Sequence, residues 1–443
     1  MYLKNTITSD GFDNPQITTL ATVAIVQDNI SLEAERKGLW VILAVGIAIR
    51  LVAMLGFKHV PESDELAYQS MAHNIINGAG IIDYMGNYAM YNLGYPVMVL
   101  TPLFAIFGEN LWAVRLFNTC LGGLAIYLCY AVAKEAGAKP TGRLLAAALW
   151  AVYLPAGMTV VYLFKENLMI PLMLGVIWCG LRLLKTPHYY VGLVCGGLLG
   201  LLALTGNAAL VLIVPIGAAL TLAPVTLAKK LQVLAIIVLT AVVVTEPFLL
   251  RNKQVLGSFV LNTNGGFNLY LANNPMATGH FVSIMDTPRG STWELLRHQG
   301  EVLASDTLKQ EAIQWIITHP GRFFTLMLKK AGYFWQPSFQ HVKPGLGAIK
   351  TTVSVVSGIE YLVIVTAALG SLCFACFRDR KRLILWLSIS SYMAVYLVFY
   401  VMFRYRDPVL PFVCILAACC IESLVPYFAV YPGKQKTIIS SAG

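Results

Sequence analysis

The chain has 443 residues, of which 57% are apolar and only 12% charged, and its mean hydropathy is +0.68. Soluble domains carry about 25% charged residues, so this composition excludes an ordinary soluble protein. The net charge of +10 sits mostly in short loops between apolar runs, which reads as membrane-anchoring charge and not as a nucleic-acid surface.

In chain order, apolar spans are expected at Leu39–Phe57, Leu111–Ala133, Leu144–Leu163, Leu168–Leu184, Val191–Leu204, Ala208–Leu227, Leu231–Leu250, Val353–Phe377, Leu383–Phe403 and Val409–Val425. Several reach the roughly 18–20 residues that a membrane helix needs. The β-barrel signature, alternation in segments of about 10 residues, is missing. The expected fold class is therefore an all-α polytopic membrane protein with about ten or more transmembrane helices. Pro96–Phe107 is too short to cross and reads as an interfacial helix. Residues 1–37 are polar and irregular and read as a cytoplasmic tail. The membrane domain spans 38–427, and 428–443 form a second cytoplasmic tail.

The basic clusters Arg36-Lys37, Lys134 to Arg143, Arg182 to Lys185, Lys229-Lys230, Arg378 to Arg382 and Lys434 to Lys436 fall at alternate ends of the spans. One topology puts them all in the cytoplasm. The other side then receives 58–110, the turn at Lys165-Glu166, the turn at Thr205–Asn207, a long loop 251–350 and Arg404–Asp407. The 251–350 loop is the only soluble-like mass, about the size of a small cap. All nine cysteines lie in apolar segments and read as packing residues. None of the seven histidines forms an H-E-x-x-H pair, and no metal ligand set is evident.

Acids are scarce here, yet "PESDELAYQS" places Glu62, Asp64 and Glu65 just after the first span. A solvated loop start is the plain reading. However, Tyr68, Ala72 and Asn74 continue at helical spacing, so the acids open an amphipathic helix at the membrane surface. A partly desolvated carboxylate there suits a general base. "VYLFKENLMIP" sets Lys165, Glu166 and Asn167 between two spans, where each ionised group costs roughly 2.5–3.5 kcal/mol at membrane depth and so needs a partner or a wet cavity. "VMFRYRDPVLPF" puts Arg404 and Arg406 on the outer side, against the positive-inside trend. Guanidinium groups bind phosphate bidentately, so an anionic ligand is the natural reason. Glu246, Arg251 and Asn252 mark another outer end. Carboxylates beside outer cations suit transfer from a lipid-linked phosphate.

Four stretches, in order, resemble the glycosyltransferase C superfamily, in the branch of protein O-mannosyltransferases and lipid A aminoarabinose transferases. "SDELAYQSMAHNIINGAG" is similar to its D-E-x-x-Y element. "YNLGYPVMVLTPLFAIFGEN", with Asn92 and Tyr95, is similar to its interfacial helix. "RNKQVLGSFVLNTNGGFNLYLANNPMATG", with Asn264, Asn268, Asn273 and Asn274, is similar to its outer loop, and "RYRDPVLPF" to its last element. The resemblance covers about 39–425. It implies an inverting glycosyltransferase of the bacterial inner membrane, with its active site facing the periplasm. The donor would be a sugar on polyprenyl phosphate and the acceptor a hydroxyl of a lipid, glycan or protein. Asp64 would be the base and Glu65 its support. Arg404, Arg406, Lys165 and Arg251 would hold the donor phosphate. Tyr68, Glu166, Asn92, Tyr95, Asn252 and the four loop asparagines would contact or support the substrates. Loop 58–110 would be catalytic, and 251–350 the cap that selects the acceptor. No cofactor is required, although a divalent metal is compatible with the acids. The chain departs from the family at Thr205-Gly206-Asn207, where many members carry T-R-P; Lys165 is the substitute cation. A lipid-linked sugar flippase or transporter, or a glycan polymerase or ligase of another fold, would also have outer loops. Those readings lack the order of motifs, and a transporter calls for polar groups at midplane.

Overall fold

The computed structural model describes residues 15–337, 348–373 and 379–430. The expected positions at 1–14, 338–347, 374–378 and 431–443 lie outside the described residues. Among the described residues the chain is helical throughout, with no strand.

Helix α1 runs Pro15–Gly56 without a break, so residues 15–37 are not irregular: they extend the first span by several turns. The helix α2 (Asp64–Ile76) follows, then a π-turn at Pro96–Leu100 leading into α3 (Thr101–Phe107). Helix α4 (Leu111–Glu135) starts where the Asn110 side chain accepts a hydrogen bond from Trp112 N–H, an ordinary N-cap.

The expected span 144–163 is two helices. The first, α5 (Pro140–Val152), stops at Tyr153, and α6 (Leu154–Met158) continues through a 3-10 turn, bent by 58°. Pro155 cannot donate to the preceding turn, which accounts for the break. Next come α7 (Glu166–Lys185), α8 (Tyr189–Thr205), α9 (Ile213–Leu222), preceded by a 3-10 segment Asn207–Leu212, and α10 (Leu227–Leu256). Expected to reach Leu227, the sixth span instead ends at Leu222, before Pro224. Its 3-10 start rises about 2 Å per residue, against 1.5 Å in an α-helix, so few residues cover more depth.

Within the described part of the expected 251–350 loop the chain forms four helices joined by turns: α11 (Asn264–Ala272), α12 (Trp293–Arg297), α13 (Glu301–Thr318) and α14 (Pro320–Phe334). The chain closes with α15 (Ala348–Cys373), α16 (Arg380–Val398), a 3-10 turn Phe403–Val409 and α17 (Leu410–Val430). Among the described residues, seven helices are long and apolar enough to cross a membrane, eight with the bent pair; α8 and the Asn207–Leu222 pair are shorter apolar helices. With them the ten expected spans are all present as helices.

α7 and α17 form the centre of the bundle and are the most buried of the long helices. Ion pairs stitch the end opposite the loops: Arg182 and Lys185 to Glu135, and Arg143 to Glu35. Glu422 accepts the Lys139 N–H there. The other end carries α2, α3 and α11–α14, and these build the site.

Candidate active site

Everything at the site depends on how α2 is pinned. Its second residue, Glu65, is 1% exposed. The carboxylate accepts Leu163 N–H at 2.7 Å and pairs with His59 Nε2 at 2.6 Å. Arg115 then ties His59 O and Val161 O together. The Asn167 amide donates to the carbonyls of Thr159, Tyr162 and Phe164. The Asn118 amide donates to Val160 O and Tyr162 O, and Tyr95 O–H donates to Asn118. This network fixes the start of α2 against the turn that carries Lys165. Ser63, just before Asp64, has φ 52° and is the one non-glycine residue with positive φ among the described residues. Such a conformation costs about 1–3 kcal/mol and persists only where neighbours enforce it.

Asp64 is thereby turned into a cavity of about 330 Å³ lined also by Ser63, Tyr68, Lys165, Asn264 and Arg404. A second hollow of about 280 Å³ shares Asn92, Lys165, Asn264, Asn268, Tyr400 and Tyr405 with the first and adds apolar Val211, Val395 and Phe399. The two are lobes of one space, with Lys165 in both. The first faces the α11–α13 cap, and the second runs between the 3-10 segment before α9 and the end of α16.

Arg404 forms an ion pair with Asp64 and lies over the Phe164 ring at 4.4 Å. Lys165 is half-buried, and its Nζ has no hydrogen-bond or ion-pair partner among the described residues. Burial lowers the Lys165 pKa, while the charges of Glu166 and Asp64 oppose the shift and Arg404 adds to it. Tyr68 is pushed up by burial and by the Asp64 and Glu166 carboxylates, so its hydroxyl stays a donor. The site thus offers an acid, its paired arginine, one unpaired ammonium and a ring of amides and tyrosines.

Several expected residues lie elsewhere. Arg406 does not line the cavity: it is 1% exposed, donates to Gln336 O and sits over the Tyr361 and Phe403 rings, each at 4.0 Å. In a 3-10 turn of three residues, positions 404 and 406 point to different sides, while 403 and 406 share one. Arg251 lies off the cavity as well, its guanidinium held by the carbonyls of Tyr88 and Ile81 and by Asn252. Asn252 donates to Val260 O, so the pair closes the end of α10 onto the first outer loop. Asn273 bonds to Leu269 O and Val398 O, and Asn274 to Tyr270 O and Leu271 O, both fully buried. Neither Asn273 nor Asn274 reaches the cavity. Glu65 and Tyr95 support it from behind. Glu166, 4% exposed, opens α7 behind Lys165. Of the expected residues, Asp64, Tyr68, Asn92, Lys165, Asn264, Asn268 and Arg404 line the cavity.

Tyr400, Tyr405, Trp293 and Arg297 also line it and were not expected. Tyr392 and Tyr396 lie four residues apart on one face of α16, and Tyr400 follows just past its end. Tyr405 stacks against Tyr396 at 4.8 Å, and Tyr400 O–H donates to Asn268. Buried Lys330 was missed too. It donates to the carbonyls of Ala272 and Val398, joining the ends of α11 and α16, and burial lowers its pKa to about 8. Among the described residues, no three His, Cys, Asp or Glu side chains come together to hold a metal.

Residues 97–250 match the family of dolichyl-phosphate-mannose-protein mannosyltransferases. No curated protein matches the chain by sequence. Among solved structures, the fold is similar to the archaeal oligosaccharyltransferase AglB from Archaeoglobus fulgidus, determined in complex with an inhibitory peptide and a dolichol-phosphate. The TM-score is 0.54 at 14% identity, covering 90% of this chain and 51% of that one. ArnT from Cupriavidus metallidurans in the apo state is similar at TM-score 0.52 and 15% identity, covering 90% of this chain and 62% of that one. The chain therefore spans about half the length of the oligosaccharyltransferase. These structures show a shared fold, and the family match is confined to residues 97–250, about a third of the chain.

Proposed function

We propose that this protein is an inverting membrane glycosyltransferase. It moves a sugar from a polyprenyl-phosphate donor to a hydroxyl acceptor on the periplasmic face of a bacterial inner membrane. The observation that carries this reading is the meeting of Asp64, Arg404 and Lys165 in one cavity, delivered by three separate parts of the chain. Asp64 takes the proton from the acceptor hydroxyl as that oxygen attacks C1 of the sugar. The C1–O bond to phosphate breaks, its electron pair leaves with the lipid phosphate, and configuration at C1 inverts. Lys165 and Arg404 neutralise the charge that grows on the departing phosphate. Pre-placed cations of this kind commonly lower a barrier by several kcal/mol.

The two lobes suit the two substrates. Val211, Val395 and Phe399 in the second lobe offer an apolar path for the first isoprene units, with Lys165 at its inner end for the phosphate. The first lobe, under the cap, takes the sugar and the acceptor. The AglB structure contains a dolichol-phosphate, a ligand of the same chemistry. Purified protein supplied with radiolabelled polyprenyl-phosphate sugars should release free lipid phosphate, and release should require Asp64. If no polyprenyl-phosphate sugar is consumed across a panel of sugars and acceptors, the reading fails.

A further inference from the structure

Outside the catalytic cavity lies a larger hollow of about 710 Å³. Its walls are the 85–88 loop, the end of α10 at Val255 and Leu256, and the 297–306 segment. It shares Met85, Asn87, Arg297 and Glu301 with the catalytic cavity, so these four residues border both spaces. Glu301 is a fixed strut: its carboxylate accepts Tyr88 N–H, Ala89 N–H and Thr263 O–H. Arg297 is held only by Glu294, at 3.5 Å on the same helix. The shared border therefore has one movable cation beside one fixed acid.

We propose that this hollow is a binding groove for a neutral saccharide chain, the acceptor whose terminal hydroxyl reaches Asp64. The proposal rests on the transferase reading above and assigns its acceptor class. Both charge signs are present, in Arg297 and Asp306, so neither an anionic nor a cationic chain is selected. Met85 and Leu303 are 42% and 50% exposed. They give apolar patches for the C–H faces of sugar rings. His298 and Gln299 are exposed; their backbone N–H groups close the end of α12, and their side chains face the groove with no hydrogen-bond partner among the described residues, so those side chains are free for hydroxyl edges. At the cavity end, Trp293 packs on Phe267 at 5.2 Å and offers an aromatic surface where the chain meets the donor sugar. A peptide added as an extra β-strand is disfavoured because that mode uses an open strand edge, and no described lining segment is a strand. A lipid acceptor is disfavoured because the groove lies on the loop side, with only the last turn of α10 from a membrane helix. The volume lies within the roughly 300–1,000 Å³ usual for ligand sites.

The test uses the full chain in detergent on an array of neutral oligosaccharides of one to six residues, with Ser/Thr-rich peptides printed alongside. Retention should rise with saccharide length and fall at least about tenfold in Leu303→Trp and Val255→Trp, which fill the groove from exposed positions. Release of lipid phosphate from the donor is measured in parallel, and a variant that still consumes donor is folded. Retention of peptides but not saccharides overturns the proposal. So does an absence of saccharide retention, or retention unchanged in both tryptophan variants. Saccharide binding without any donor turnover would instead sink the transferase reading and leave the groove standing.

Discussion

The carboxylate of Asp64 is ion-paired with the guanidinium of Arg404, 340 positions further along the chain. Arg404 engages one of the two carboxylate oxygens, Oδ2. Under the proposed mechanism a phosphate entering beside Lys165 competes for Arg404 and frees that oxygen, so that the contact that recognises the donor also makes the base more available. Binding should be ordered, donor before acceptor. Asp64→Asn should lower transfer by about 100- to 10,000-fold, the usual range for loss of a general base, and leave donor affinity within a few-fold of wild type. Single-turnover rates and donor titrations measure the two separately. Near-normal turnover in Asp64→Asn removes this residue from the mechanism.

The two arginines of "RYR" should behave oppositely. Arg404→Lys keeps the charge and loses the planar fork, so donor binding should weaken and turnover fall by roughly tenfold or more. Arg406 instead wedges the 3-10 turn against Tyr361, Phe403 and Gln336 O. Breaking a buried contact set of this kind commonly costs about 1–3 kcal/mol, so Arg406→Lys should lower thermal stability in detergent, with donor affinity per folded molecule unchanged. If Arg406→Lys weakens donor binding while melting normally, the phosphate reaches further into the bundle than the cavity shows.

That reversal shows what was legible in the sequence. Hydropathy marked all ten helical segments, because long apolar runs are a local signal; the break at Tyr153 inside the expected span 144–163 escaped it. The D-E element gave Asp64, because scarce acids after a span stand out. Arg404 and Arg406 are equivalent in composition; only the three-residue period of the turn separates them, and nothing in the one-letter string announces a 3-10 turn. Arg251 and Asn252 read as site residues because they are polar at an outer end, and Asn273 and Asn274 because their stretch resembles the family's outer loop. Each proves to satisfy buried carbonyls, the commoner work of a polar side chain at a helix end. Tyr400 and Arg297 escaped because a tyrosine or arginine at a helix end is ordinary until the cap folds over it.

The proposed sidedness rests on charge. Lys139, Lys230 and Arg380 occur at one end of the bundle and Lys165, Asn264 and Arg404 at the other, and the positive-inside rule supports an outward-facing cavity. Single cysteines at 264 and 230, on a background lacking the native cysteines, should label from outside and from inside respectively in intact cells. Labelling of 230 but not 264 by an impermeant reagent would invert the topology and remove the periplasmic site.

Lys165 supplies a pH signature. Its pKa lies below that of an ordinary lysine, chiefly because burial disfavours the charged form. Only the ammonium attracts phosphate. A depressed pKa means that this charge is complete at lower pH and is lost, as pH rises, sooner than from an exposed lysine. Donor affinity should therefore decline on the alkaline side below pH 10.5, while the phosphodiester of the donor keeps its charge throughout. Replacing the lysine by arginine, which stays protonated, should carry donor affinity to higher pH with the alkaline decline abolished. Lys165→Met should weaken donor binding at pH values where the wild-type lysine is charged, converge with wild type at the alkaline end and flatten the profile. Donor dissociation constants from pH 6 to 10 for the three proteins separate these cases. If wild type and Lys165→Arg trace the same alkaline decline, the titrating group is another one and Lys165 is not the phosphate's partner.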